Sequence, residues 1–332
     1  MDSPRDLLKA LARRYAFGDV GALAGRVLPP GPAAQAAALC QFGQRVLELD
    51  AEDFGMPETA GPVPADLLDR ARASRMPQAP RERPRGALAT LHPAYGLLLE
   101  VIAVHWRRRE MAAVVAAVHI VAEYLPALAW EPVLGHAIDP ARLAEAVSGP
   151  GSRFGVAPEP DAPRACDHTR PERSACERAL RVAGEPAPGW RAYLDRQHSQ
   201  VAQALGVCAA ECRTPCTVMT RLDPKERAAL TARCELAVDF ADGALVRLRH
   251  AAPVGHGFGV PSPEEVEQAW ARSRTSLRRR PLGEAALAGS DGDPYPLQGL
   301  PALISAVAGT PISPATLLQD VTHRLTTLLE GA

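Results

Sequence analysis

The chain has 332 residues, 47% of them hydrophobic and 23% charged, with 37 basic against 38 acidic side chains. That length suits about two domains, and the composition is close to the globular average, which disfavours wholesale disorder and collagen-like or coiled-coil architecture. A net charge of −1 and an aromatic content of 5% supply neither the basic footprint nor the stacking platforms of a dedicated nucleic-acid binder, so no such partner is expected.

Lys9 and Lys225 are the only lysines, and with abundant Arg, Ala, Gly and Pro this points to the codon usage of a high-GC bacterial genome. Met1 leads directly into Ser3-Pro4-Arg5-Asp6 and an amphipathic pattern, with no apolar leader of about 7–15 residues, so a cytoplasmic location is expected. Seven cysteines, an odd number in a chain this long, read as thiols or metal ligands rather than a disulfide framework.

Helix signals dominate. A cap residue followed by proline at the first helical position occurs at Ser3-Pro4, Asp139-Pro140, Asp223-Pro224, Ser262-Pro263 and Ser313-Pro314. Glu226 and Glu265 stand three residues after their caps, where a carboxylate can reach back to the cap's own N–H. Strand signals are scarce, the best being residues 244–249, so the expected class is all-α, a two-domain helical bundle with at most a small β-hairpin.

In chain order, amphipathic helices are expected near 6–15, 33–49 and 65–74, followed by a Pro/Arg-rich connector at 77–85. Residues 93–106 and 111–125 are apolar on nearly every side, separated by Arg107-Arg108-Arg109-Glu110, and should be buried helices at the centre of a first domain, residues 1–148. The stretch 111–130 approaches bilayer length, yet His119, Glu123, Pro126 and its many alanines favour a core helix over a membrane span. A further helix near 141–147 precedes a Pro/Gly-rich linker at 149–170. The second domain, 171–332, should hold helices near 172–182, 189–205, 224–241, 263–276 and 314–329.

Three constellations have chemical potential. Cys208, Cys212 and Cys216, with Cys234 on the next helix, bring together thiolates able to hold zinc at about 2.3 Å or an iron–sulfur cluster, with Cys166, His168 and Cys176 upstream. The repeated three-residue gaps match neither zinc pairs nor familiar cluster runs, and cysteines in an alanine-rich helix also serve as small hydrophobes. His119 and Glu123, one turn apart, form a candidate cofactor site with Glu100, His105 and His136, for a metal or a haem; the alternative is a satisfied buried pair at a helix junction. The third is the glycine loop 255–261 running into the helix at Ser262, with Arg272, Arg274, Arg278, Arg279 and Arg280 at that helix's far end as cationic partners for an anion, or as a solvated basic terminus. No Walker, dinucleotide, Gly-x-Ser-x-Gly or His-Glu-x-x-His spacing occurs, so no catalytic residue is assigned. Three functions follow: a thiolate metal protein of structural or redox-sensing role, a metal- or haem-dependent enzyme in the N-terminal core, or an interaction module with a protein partner and no chemistry of its own.

Overall fold

The computed structural model describes residues 3–50, 63–74, 90–135, 206, 209–210, 222–251 and 259–331, and among these every regular element is a helix. In chain order they are α1 (Pro4–Arg13), α2 (Phe17–Val27), α3 (Pro30–Leu47), α4 (Ala65–Ala73), α5 (His92–Arg107), α6 (Met111–Leu134), α7 (Pro224–Ala241), α8 (Ala244–Ala251), α9 (Pro263–Leu277), α10 (Pro281–Leu287), α11 (Leu300–Ala308) and α12 (Leu317–Gly331). The all-α class read from the sequence is the one observed.

The cap-proline device starts α1, α7 and α9 with proline at the first helical position. At Ser262 the hydroxyl accepts from the Glu265 amide at 3.2 Å, and the Ser262 amide donates to the Glu265 carboxylate at 2.7 Å. Ser3 and Asp6 form the same reciprocal box at α1. At Asp223 the carboxylate accepts from the Lys225 and Glu226 amides at 2.7 and 3.1 Å, but the expected return bond from Glu226 is not formed. Asp139-Pro140 lies outside the described residues.

Residues 244–249, the strongest strand signal, belong to helix α8. Leu245 and Val246 are both buried, and adjacent residues of a strand cannot face the same core. The Ser273 hydroxyl accepts from the Leu245 amide at 3.0 Å and so caps the helix from α9. At Ser313-Pro314 the chain stays extended and the helix begins at Leu317, because the Ala315 amide donates instead to the Gly96 carbonyl of α5 at 2.8 Å. A β-carbon on Gly96 would lie 3.2 Å from the Ser313 carbonyl oxygen, so a glycine permits this close crossing.

Two apolar cores form, and α5 lies between them. Leu97, Val101 and Val104 face a core built from α1 to α4 and α12, while Tyr95, Leu98, Leu99 and Ile102 face a second core built from α6 to α11. Both stripes are spaced three or four residues apart, which is why α5 is apolar all round. Helix α6 packs against α5, α7, α8 and α11. It is the one helix among the described residues long and apolar enough to cross a membrane. Most of its surface is buried within the fold. The proposed linker at 149–170 lies outside the described residues, and each core takes helices from both sides of it.

Helix α6 contains two prolines, Pro126 and Pro132, whose rings cannot donate to the preceding turn. Next to the acceptor left by Pro126, the Val121 carbonyl accepts from the buried Tyr95 hydroxyl at 2.8 Å. Across α5, the Tyr295 hydroxyl donates to the Leu99 carbonyl at 2.9 Å. Both phenols are pushed well above their ordinary pKa by burial, so they remain neutral donors tying helix to helix.

Candidate functional site

The ionisable residues singled out around α5 and α6 have separate partners. Glu100 is 6% exposed and faces the first turn of α12, where the Gln319 amide donates to its Oε1 at 3.0 Å. The amides of Leu317 and Leu318 also bear on it. A helix start leaves its first amides without intrahelical acceptors, and a carboxylate answers both those donors and the positive end of the dipole. Glu100 is therefore a cap for α12 delivered from another helix.

His105 lies at the C-terminal end of α5, with Nδ1 2.6 Å from the accepting Oε2 of Glu110, while Arg108 donates to the other oxygen at 2.8 Å. Arg107 donates to the Tyr15 hydroxyl at 3.3 Å and lies over its ring at 5.5 Å, and Arg108 donates to the Tyr15 carbonyl. Arg109 adopts φ 59°, which turns the chain from α5 into α6. The basic junction thus fastens the α5–α6 corner to the end of α1, and His105 is part of that fastening.

His119 and Glu123 share a face of α6 as the spacing requires, with Nε2 3.9 Å from the carboxylate. Both are partly buried, their side chains 25% and 37% exposed. His119 Nε2 accepts from Arg249 of α8. This imidazole joins α6 to α8, while Glu100 and His105 serve α12 and the α5–α6 corner. His136 lies outside the described residues.

Of the thiolate set, Cys208, Cys212 and Cys216 lie outside the described residues, as do Cys166, His168 and Cys176. Cys234 is fully buried on α7, where burial pushes its thiol up to about 12 and Trp130 hydrogen-bonds to it. Cys40 is likewise buried on α3, with its thiol pushed up to about 12 by burial. Both behave as small hydrophobes with inert sulfur. Among the described residues no three His, Cys, Asp or Glu side chains come together in a geometry able to hold a metal ion.

Three arginines of the run after Ser262 are engaged by neighbouring parts of the fold. Arg274 donates to Asp291 at 2.6 Å and to the Ser290 hydroxyl at 2.8 Å, and Arg278 donates to the Leu287 carbonyl at 3.0 Å. Arg280 holds Asp239 at 2.7 Å and Glu235 at 3.2 Å. Neither the solvated terminus nor the anion site describes these three, since α7 and the loop after α10 already supply their counter-charges; Arg272 and Arg279 remain exposed. Residues 255–258 of the glycine loop lie outside the described residues.

Glu131 was not anticipated. It is buried at the end of α6 and accepts from the Leu91 amide at 2.8 Å, a second cap delivered across the fold, with His92 Nε2 4.0 Å away. Its only sequence signal is an ionisable residue within an apolar run, which Glu100 shares. Comparison with protein families, with curated proteins and with solved structures finds no match.

Proposed function

We propose that this chain is a helical interaction module of the cytoplasm, which presents a rigid helical surface to a protein partner and carries no chemistry in its described core. The observation that supports this reading is the use made of Glu100, His105, Glu131, Arg274, Arg278 and Arg280. Each of these six side chains is engaged in closing a helix end or fastening one helix to another. A fold built this way gains rigidity from its polar side chains. The burial of α6 among its neighbours suits a soluble protein rather than a membrane span.

A second reading, a thiolate site for zinc or an iron–sulfur cluster, rests on the regular spacing of Cys208, Cys212 and Cys216. Metal analysis and visible absorption of the full chain, purified with and without air, separate the two. Protein without stoichiometric metal or a cluster band supports the interaction module. Stoichiometric metal that is lost together with thermal stability in Cys212→Ser overturns it in favour of the thiolate site, because metal-binding free energy is also folding free energy.

A further inference from the structure

Glu100 is the one described carboxylate that is almost wholly buried and incompletely bonded. Its Oε1 accepts from Gln319, whereas Oε2 is buried with no hydrogen-bond partner. An ionised carboxylate offers two acceptor oxygens, and leaving one dry and unpaired is costly. A proton on Oε2 removes the buried charge, the larger part of that cost, while Oε1 keeps the α12 amide. We propose that docking of α12 onto α5 is coupled to proton uptake by Glu100, so that the C-terminal helix is a pH-sensitive element of the fold.

The groups around this carboxyl are few. From α4, Arg70 bears on it at longer range, and Arg70 is itself committed to Asp320, with its Nη1 2.5 Å from the carboxylate, and to the Thr316 hydroxyl at 3.0 Å. From α12 come the amides of Leu317, Leu318 and Gln319 and, one turn on, Asp320; Arg324 of the same helix is paired with Asp66 of α4. From α6 no charged group bears on it. Burial outweighs the three amides and Arg70, and raises the Glu100 carboxyl above its ordinary 4.5.

The sign follows. A carboxyl whose value is raised when α12 is docked strengthens docking below the undocked value, and that contribution is lost as pH rises through the docked value. Asp320 works in the opposite sense. Burial alone would raise it, but the bonds from Arg70 and Thr316 and the charges of Arg70 and Arg324 hold it below 3.8, so its contribution is lost only as pH falls below that value. The two windows lie on opposite sides, and the Glu100 effect can be read alone.

Native-state hydrogen exchange of the full chain is the test, with the protection of α12 amides followed from pH 4.5 upward, corrected for intrinsic exchange and referred to the amides of α7. Protection of α12 should fall by up to about tenfold per pH unit, the limit for one proton, and Glu100→Gln should abolish that slope. A flat wild-type profile, or an unchanged slope in Glu100→Gln, overturns the proposal. Should Glu100→Gln fail to fold, carbon NMR titration of the wild-type glutamate carboxyls decides: one glutamate titrating above the rest and assigned to Glu100 supports the coupling, and a Glu100 that titrates at or below the ordinary value refutes it.

Discussion

Replacing Gly283 by alanine tests the packing of the second core against ordinary helix propensity. Gly283 lies in the first turn of α10, and in most helices such a change stabilises by about 0.5–1 kcal/mol, because glycine loses more backbone freedom on folding. Here a β-carbon would lie 2.2 Å from the Leu277 carbonyl oxygen and 2.9 Å from Leu236 Cδ1, far inside the separation of about 3.5–4.0 Å at which carbon atoms attract. The carbonyl cannot retreat freely. It accepts from the Arg280 amide at 3.1 Å, and Arg280 holds Asp239 and Glu235 of α7. Overpacking costs about 1–3 kcal/mol, so after the propensity gain Gly283→Ala should lose about 1–2 kcal/mol net. Gly25, in the last turn of α2, has nothing within 4 Å of its added β-carbon and no proline after it, and Gly25→Ala should be neutral or stabilising by up to about 1 kcal/mol. Urea unfolding followed by far-ultraviolet circular dichroism measures both, with the slope checked for constancy so that the midpoint reports stability. A Gly283→Ala midpoint at or above wild type would refute the close approach of α10 to the end of α9.

Ser262→Ala removes the hydroxyl that accepts from the Glu265 amide, while the residue 262 amide keeps its bond to the Glu265 carboxylate, and should cost about 1 kcal/mol, visible as faster hydrogen exchange in the first turn of α9. Glu131→Ala leaves the Leu91 amide and the start of α5 without their buried acceptor and should cost about 1–3 kcal/mol in the same urea experiment. Asp223, bound by the Glu226 and Lys225 amides, and Asp291, bound by Arg274, are both held below 3.8, so each contributes stability above that value that is lost as pH falls through the depressed one; Asp223→Asn should flatten the acid limb of a plot of urea midpoint against pH. Cys40 and Cys234 should resist a thiol-specific reagent at neutral pH in the native protein and react only on unfolding, and rapid labelling of either in the folded state would contradict their burial.

What local sequence determined here is where helices start and which of them are buried. Ser3-Pro4, Asp223-Pro224 and Ser262-Pro263 carry their structural instruction within four residues, since a cap side chain and a fixed proline φ need no distant partner, and each starts a helix. The all-round apolarity of α5 and α6 was legible as burial for the same reason: a helix with no polar face has nowhere to go but inside. What buries them was decided by the tertiary structure, because the two stripes of α5 serve two different cores, one of which is completed by α12 from the far end of the chain. The roles of Glu100 and Glu131 belong to the same level. Their partners lie 219 and 40 residues away, so no local window contains both carboxylate and helix start, and in sequence an ionisable residue in an apolar run looks the same whether it will meet a metal or a row of backbone amides. Residues 244–249 fell between the levels: alternating Leu, Val and Arg suits a strand locally, and it took the packing of Leu245 and Val246 and the Ser273 cap to make that segment a helix.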